Sequence, residues 1–296
     1  MRNTRRDAVV AAFMADCLAL GPHWIYDQER IAREFPDFAA PAAPLPDSYH
    51  KTKGLGDFTH YGDQMLVLLE SLAERGGFDR ADFAARWKTL FETYGGYVDA
   101  ASRRTLENLK AGWPFEDAGS TSEDLAGAAR FAPLLAFIAD EDALAEAARQ
   151  QTGLTHTAPL VLDAAEFFAR AAARILGGEE PVPAMRAAAQ ALAGGSVAEL
   201  VEKGLASAGG ETLSLIAAFG QNCHSPGALP AVVHLVAAYA DDPARGLLQN
   251  VLAGGDSAGR GIAVGALLGA ARGLDAFPAV WRTAMNAHGR IEALLP

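Results

Sequence analysis

The sequence predicts an all-α chain on two observations: apolar residues recur at i, i+3, i+4 and i+7 in segment after segment, and strand-like alternation is scarce. Alanine, the best helix former, is abundant, and Gly-Gly pairs beginning at Gly76, Gly177, Gly194, Gly209 and Gly254 punctuate the periodic stretches. In order, Val10, Phe13, Met14, Cys17 and Leu18 form one amphipathic stripe, and Met65, Leu68, Leu69, Leu72 and Ala73 a second. Phe83, Trp87, Leu90, Phe91 and Tyr94 form a third, opened by Asp79, whose short carboxylate suits an N-cap. Later helices are expected over 158–176, 184–193, 197–206, 228–239 and 262–272. Between the first two stripes, residues 35–62 have no helical period and carry Pro36, Pro41, Pro44 and Pro46 ahead of Tyr49-His50-Lys51. A loop of this length is functional or disordered, and its aromatic and basic residues suit a lid over a site. No internal repeat or linker interrupts the chain, so 1–296 is read as one domain.

Half of the 296 residues are hydrophobic, enough to bury a full core without disulfides. A net charge of -11 with no dense Lys/Arg run excludes a nucleic-acid surface, which needs clustered cations. Cys17 and Cys223 give no disulfide framework, so a reducing cytoplasm is expected. Arg2 to Arg6 followed by Ala8 to Ala15 has the outline of a signal peptide, but Asp16 breaks the run and the apolar positions are periodic. Nothing approaches the roughly 18 continuous apolar residues of a membrane span. The sequence sets no oligomeric state.

The segment from Gly254 to Gly261 reads Gly-Gly-Asp-Ser-Ala-Gly-Arg-Gly and runs into an apolar helix from Ile262 to Ala270. Glycines there allow turn conformations, and a helix N-terminus offers free N–H groups to an anion. Other segments stand in a fixed order before it: Ala15-Asp16-Cys17-Leu18-Ala19, Thr59-His60-Tyr61-Gly62-Asp63-Gln64-Met65, Thr105-Leu106-Glu107-Asn108-Leu109, Ala126-Gly127 with Arg130 and Pro133, and Thr155-His156. Together they resemble the ADP-ribosylglycohydrolase family over nearly the whole chain. The resemblance implies a multi-helix bundle and hydrolysis of a ribosyl N- or O-glycosidic bond, with a small ribosyl or ADP-ribosyl compound as substrate. It also implies two magnesium ions held by Thr-Asp-Asp and by the first aspartate, second aspartate and last threonine of Asp-Thr-Asp-Thr. Here those positions are His60, Tyr61 and Gly62, then Asp256, Ala258 and Gly259, so only Asp256 remains a ligand type. Magnesium is normally anchored by several carboxylates, so no cofactor is expected. The pattern is similar to that of the branch containing jellyfish crystallins and related selenoproteins.

The family's acid–base glutamate corresponds to His23, and histidine can do such work near neutral pH. The resemblance brings Asp63, Asp256, His23 and His60 into one crevice as catalytic candidates. His156, Cys223, His224, Ser257 and Arg260 are candidates for substrate binding. A transition metal on histidine, cysteine and aspartate is chemically permissible. Plainer readings stand beside these. Asp63 can cap a helix beginning at Gln64, Asp256 can cap the helix that follows it, and Cys223 can be a small apolar residue. His224 divides between surface and site, His234 packs in a helix, and His50 and His288 have no supporting neighbours. The alternative to an enzyme is an inactive, crystallin-like protein that binds a nucleotide-like ligand or serves structurally. A titratable crevice marks the former, and a crevice filled by its own side chains the latter.

Overall fold

The computed structural model describes residues 4–192 and 195–296, so the expectations placed on Arg2, Ala193 and Gly194 fall outside it. Among the described residues there is no strand, only isolated bridges from Ser120 to His156 and from Asp124 to His224. Helix α1 (Thr4–Ala19) is buried continuously from Ala8 to Ala19, so it is a central helix and not a half-covered surface one. Helix α2 (Gln28–Glu34) starts where the Asp27 carboxylate accepts from the Glu29 and Arg30 amides.

The long irregular segment follows, and α3 (His60–Arg75) begins at Thr59, whose hydroxyl accepts from the Tyr61 amide. The start expected at Gln64 is therefore one turn late, and Asp63 is not the cap. Helix α4 (Arg80–Glu92) is capped by Asp79 as expected, with Tyr94 beyond its end. Helix α5 (Ala100–Lys110) is capped by Asp99. Two short helices, α6 (Ala126–Ala129) and α7 (Leu134–Phe137), lead to α8 (Glu141–Gly153) and α9 (Pro159–Leu176). The chain continues through α10 (Pro181–Ala191), α11 (Ser196–Ala206), α12 (Thr212–Phe219), α13 (Ser225–Ala238), α14 (Pro243–Leu252) and α15 (Ser257–Arg272). It ends with α16 (Ala279–Thr283) and α17 (His288–Leu294).

The centre of the molecule is α1 against α15, packed so closely that only small residues fit. A Cβ at Gly265 would stand 2.5 Å from the Ala11 carbonyl oxygen, and one at Gly269 would stand 2.6 Å from the Ala11 Cβ. Helices α9, α13 and α14 pack on α15 and enclose one continuous apolar core. No helix among the described residues is long and apolar enough to cross a membrane. This arrangement brings the C-terminal end of α1, the N-termini of α3 and α15, and the loops at 120–125 and 221–225 to one place.

Candidate active site

The turn before α15 is built for its glycines. Gly254 and Gly255 lie at φ 75° and 69°, and a Cβ at Gly255 would fall 2.1 Å from the Gln221 carbonyl oxygen. The Asp256 amide donates to Gln221 O (2.7 Å), the Gly255 amide to Ile25 O (2.8 Å) and the Trp24 amide to Gly255 O (2.9 Å). Asp256 occupies the N-cap position of α15, yet its carboxylate makes no cap hydrogen bond. Its Oδ1 instead lies 2.8 Å from His23 Nε2, and Oδ2, fully buried, has no partner. Arg260 is entirely buried and donates to Gln221 O (3.0 Å), Gly254 O (2.6 Å) and Asn250 Oδ1 (3.2 Å). It holds the turn together, its guanidinium engaged by oxygens of the protein itself where the sequence reading had it as a substrate-binding candidate. The Ser257 carbonyl accepts from Asn250 Nδ2 (2.7 Å), while its buried hydroxyl has no partner.

His23 Nδ1 lies 2.7 Å from His50 Nε2, so the unexpected His50 belongs to the site. Trp24 stacks on His23 with ring centres 4.4 Å apart and holds φ 65°, a left-handed conformation that is strained for a bulky side chain. Tyr49, from the irregular segment, and Tyr97 meet the edge of Trp24 at 5.4 and 4.8 Å and close the crevice from outside. His60 is buried with neither ring nitrogen bonded, its Nε2 3.6 Å from Asp99 Oδ2. Tyr61 packs against His60 at 3.9 Å and donates its hydroxyl to Asp124 Oδ2 (3.3 Å). Asp124 Oδ1 accepts from the Ala126 amide (2.9 Å).

Two carboxylates of this crevice are driven in opposite directions. Burial, reinforced by the charges of Asp256 and Asp99, raises Asp124 well above the ordinary carboxylate range. Burial would raise Asp256 too, but the hydrogen bond from His23 and the charge of the buried Arg260 outweigh it and hold Asp256 below that range. The histidines are kept neutral: burial lowers His23, takes His60 and His156 down to about 4, and takes His50 down to about 2.

The other candidates scatter. Asp63, on α3, is engaged in a half-buried pair with Lys53 (2.5 Å) and a hydrogen bond from the Tyr94 hydroxyl. His156 sits between α8 and α9, its Nδ1 on Thr155 Oγ1 (2.8 Å) and its buried Nε2 unpartnered. It lines a cavity of about 10 Å³ with Tyr61, Asp99 and Arg130, room for no more than one water. Cys223 is half-buried beside Asp124, and burial pushes its thiol far above the range of a reactive thiolate. His224 is on the surface, its side chain 67% exposed and 3.9 Å from Glu123. Asp99, Asp124 and Trp24 went unmarked in the sequence, and His50, placed in the covering segment, was read as having no supporting neighbours.

The donor set does not fit the family's magnesium pair. Gly259 could carry no ligand, since even a Cβ there would stand 2.5 Å from Asp256 Oδ2, and a Cβ at Gly62 would stand 2.4 Å from Asp16 Oδ2. Tyr61 turns its hydroxyl to Asp124, leaving Asp256 as the one carboxylate among the family's ligand positions, where octahedral oxygen coordination needs several. Among the described residues no group of three or more His, Cys, Asp or Glu side chains is disposed to hold a metal ion, the His/Cys/Asp combination included.

The comparisons agree with this geometry in the fold. The chain is 23% identical to crystallin J1A of Tripedalia cystophora over 298 residues, covering 95% of this chain and 91% of that one. It is 35% identical to an uncharacterized protein of Archaeoglobus fulgidus over 91 residues, 30% of either chain. The solved structure of an ADP-ribosylglycohydrolase-related protein complex superposes with a TM-score of 0.79 at 28% identity, covering 99% of this chain and 95% of that one. The family model for ADP-ribosylglycohydrolase matches residues 2–295. The chain belongs to the ADP-ribosylglycohydrolase family.

Proposed function

We propose that this protein hydrolyses a ribosyl N- or O-glycosidic bond without magnesium, using Asp124 and Asp256 as an acid and base pair. Asp124, kept protonated, gives its proton to the leaving atom. Asp256, kept ionised by the His23 Nε2–H, faces the oxocarbenium-like centre and draws a proton from the attacking water through its free Oδ2. His23 positions Asp256, and Arg260 and Asn250 hold the turn. Magnesium has no step in this scheme.

One observation carries the reading. Of the ten buried side-chain polar atoms without a partner among the described residues, five crowd this crevice: Asp256 Oδ2, Ser257 Oγ, His50 Nδ1 and both nitrogens of His60. Buried polar groups in native proteins are nearly always satisfied, so such a concentration marks a place where something polar binds. A core kept only for packing has no reason to retain it. The strained Trp24 at the mouth points the same way.

The cavity beside His23, Trp24, Ser48 and Tyr49 measures about 70 Å³, against the roughly 300 Å³ or more of a nucleotide-sized site. An ADP-ribosyl group therefore enters only after the covering segment moves, and a smaller ribosyl compound needs less movement. The rings of Trp24, Tyr49, Tyr61 and Tyr97 over the crevice, with the likeness to a crystallin, favour a second reading: a non-hydrolytic protein that binds a ribosyl ligand or serves structurally.

A panel of N- and O-linked ribosyl and ADP-ribosyl compounds, incubated with the protein in excess EDTA, separates the two. Release of a reducing ribosyl end that survives the chelator is the expected result. Binding without turnover by any of them assigns the second reading, and turnover that requires added magnesium overturns the metal-free pair.

A further inference from the structure

The covering segment is fastened at its ends and lightly held between them. At one end the Trp281 indole donates to Ala39 O (2.7 Å). At the other the Asn286 amide donates to Gly56 O (2.9 Å) and its side chain to Leu55 O (3.0 Å). From Leu45 to Lys53 the backbone–backbone hydrogen bonds given by the structure are local turns, Ser48 to Leu45 and Lys53 to His50. The stretch is seated by side chains: Asp47 on Arg30 (2.7 Å), Thr52 on Gly95 O (3.0 Å), Lys53 on Asp63 (2.5 Å), and His50 on His23 (2.7 Å).

The hydrogen bonds fix where the protons lie. An ionised Asp256 can only accept, so His23 carries its proton on Nε2. A neutral His23 then presents a bare Nδ1, which accepts from His50 Nε2–H and leaves His50 Nδ1 bare, consistent with that atom having no partner. Burial disfavours the alternative with a cationic His23.

We propose that residues 45–53 form a flap whose seating delivers His50 to His23, and that His50 is a positioning residue locking His23 as the Nε2–H tautomer that supports Asp256. Opening the flap then admits a ligand and dismantles the Asp256–His23–His50 string in one movement. The consequence for catalysis rests on the hydrolase reading, whereas the tautomer lock does not.

The test reads the tautomer directly, by ¹⁵N NMR of the imidazole nitrogens of His23 in the full-length protein at neutral pH. The expected wild-type spectrum shows a single Nε2-protonated form. His50→Leu frees Nδ1 to take a second proton beside Asp256 and should lose that single neutral form, and His50→Gln, whose amide can donate to Nδ1, should restore it. Lys53→Met loosens the flap with His50 intact and should shift His23 toward the His50→Leu spectrum, which keeps the proposal testable if His50→Leu fails to fold. A wild-type His23 protonated on Nδ1, or a His23 spectrum unmoved by both His50→Leu and Lys53→Met, overturns it. Both results stand whether or not a ribosyl compound is cleaved, so failure of the lock and failure of the hydrolase reading are seen separately.

Discussion

At Gly259 a methyl group would crowd Asp256 Oδ2 at 2.5 Å, so the smallest possible substitution there displaces the carboxylate. Gly259→Ala should reduce hydrolysis sharply, whereas Gly289→Ala, with nothing within 4 Å of the added carbon, should leave both activity and melting unchanged. Equal activity in the two variants would detach Asp256 from the chemistry. Tyr61→Phe removes the hydroxyl that donates to Asp124 and should cost about 1 kcal/mol in denaturant unfolding, the usual worth of a hydrogen bond. Asp256 and His23 were legible in the sequence because a glycine turn and a family position announced them. Asp124 was not, and His50 was legible only as part of a cover and not as a partner of His23, because the residues they meet lie 63 and 27 positions away. Asp63 misled because its place on α3 says nothing of which way it turns, and Lys53 and Tyr94 hold it aside.

Among the elements, α1 and α15 depend on each other for their close approach. Gly265→Ala would press a Cβ to 2.5 Å of the Ala11 carbonyl, and overpacking of this kind should cost about 1–3 kcal/mol of stability. Denaturant unfolding measures it, and a neutral result would show that the two helices can separate without penalty. The periodic stripes made the helices readable, whereas the starts of α3 and α15 were read late for one physical reason. Gly259 and Gly261 in α15 read as turn residues and Gly62 as lying ahead of a helix capped by Asp63, yet all three are helical glycines that make room for Asp256, Asn250 and Asp16. Their purpose is close tertiary approach, which no local pattern displays. The 35–62 segment was legible as a cover for the site, since Tyr49 and His50 are the residues that reach it.

Over the whole molecule, buried titratable groups pull stability in opposite directions with pH. His50, His60 and His156 have folded pKa values below the ordinary histidine value, so the unfolded chain binds more protons below about pH 6.5. Their contribution is present above that pH and is lost as pH falls. Asp16 runs the other way: burial, only partly offset by the hydrogen bonds from Thr59, raises it to about 7. Between about pH 4 and 7 the folded state keeps a proton that the unfolded state has released, so this contribution falls as pH rises through that window. Asp16→Asn should therefore gain stability relative to wild type steadily from about pH 4 to 7, with a constant difference below pH 4. A difference independent of pH in thermal melts would show that Asp16 titrates normally.

The central claim is that the crevice still does chemistry through an ionised Asp256 without magnesium. Asp256→Asn tests it most directly, because asparagine fills the same volume, its Oδ1 can still accept from His23 Nε2–H, and the aspartate makes no cap hydrogen bond to lose. Hydrolysis of a ribosyl substrate in EDTA should fall on the order of 100-fold or more while the protein melts close to wild type. Equal rates in the two proteins would contradict the account.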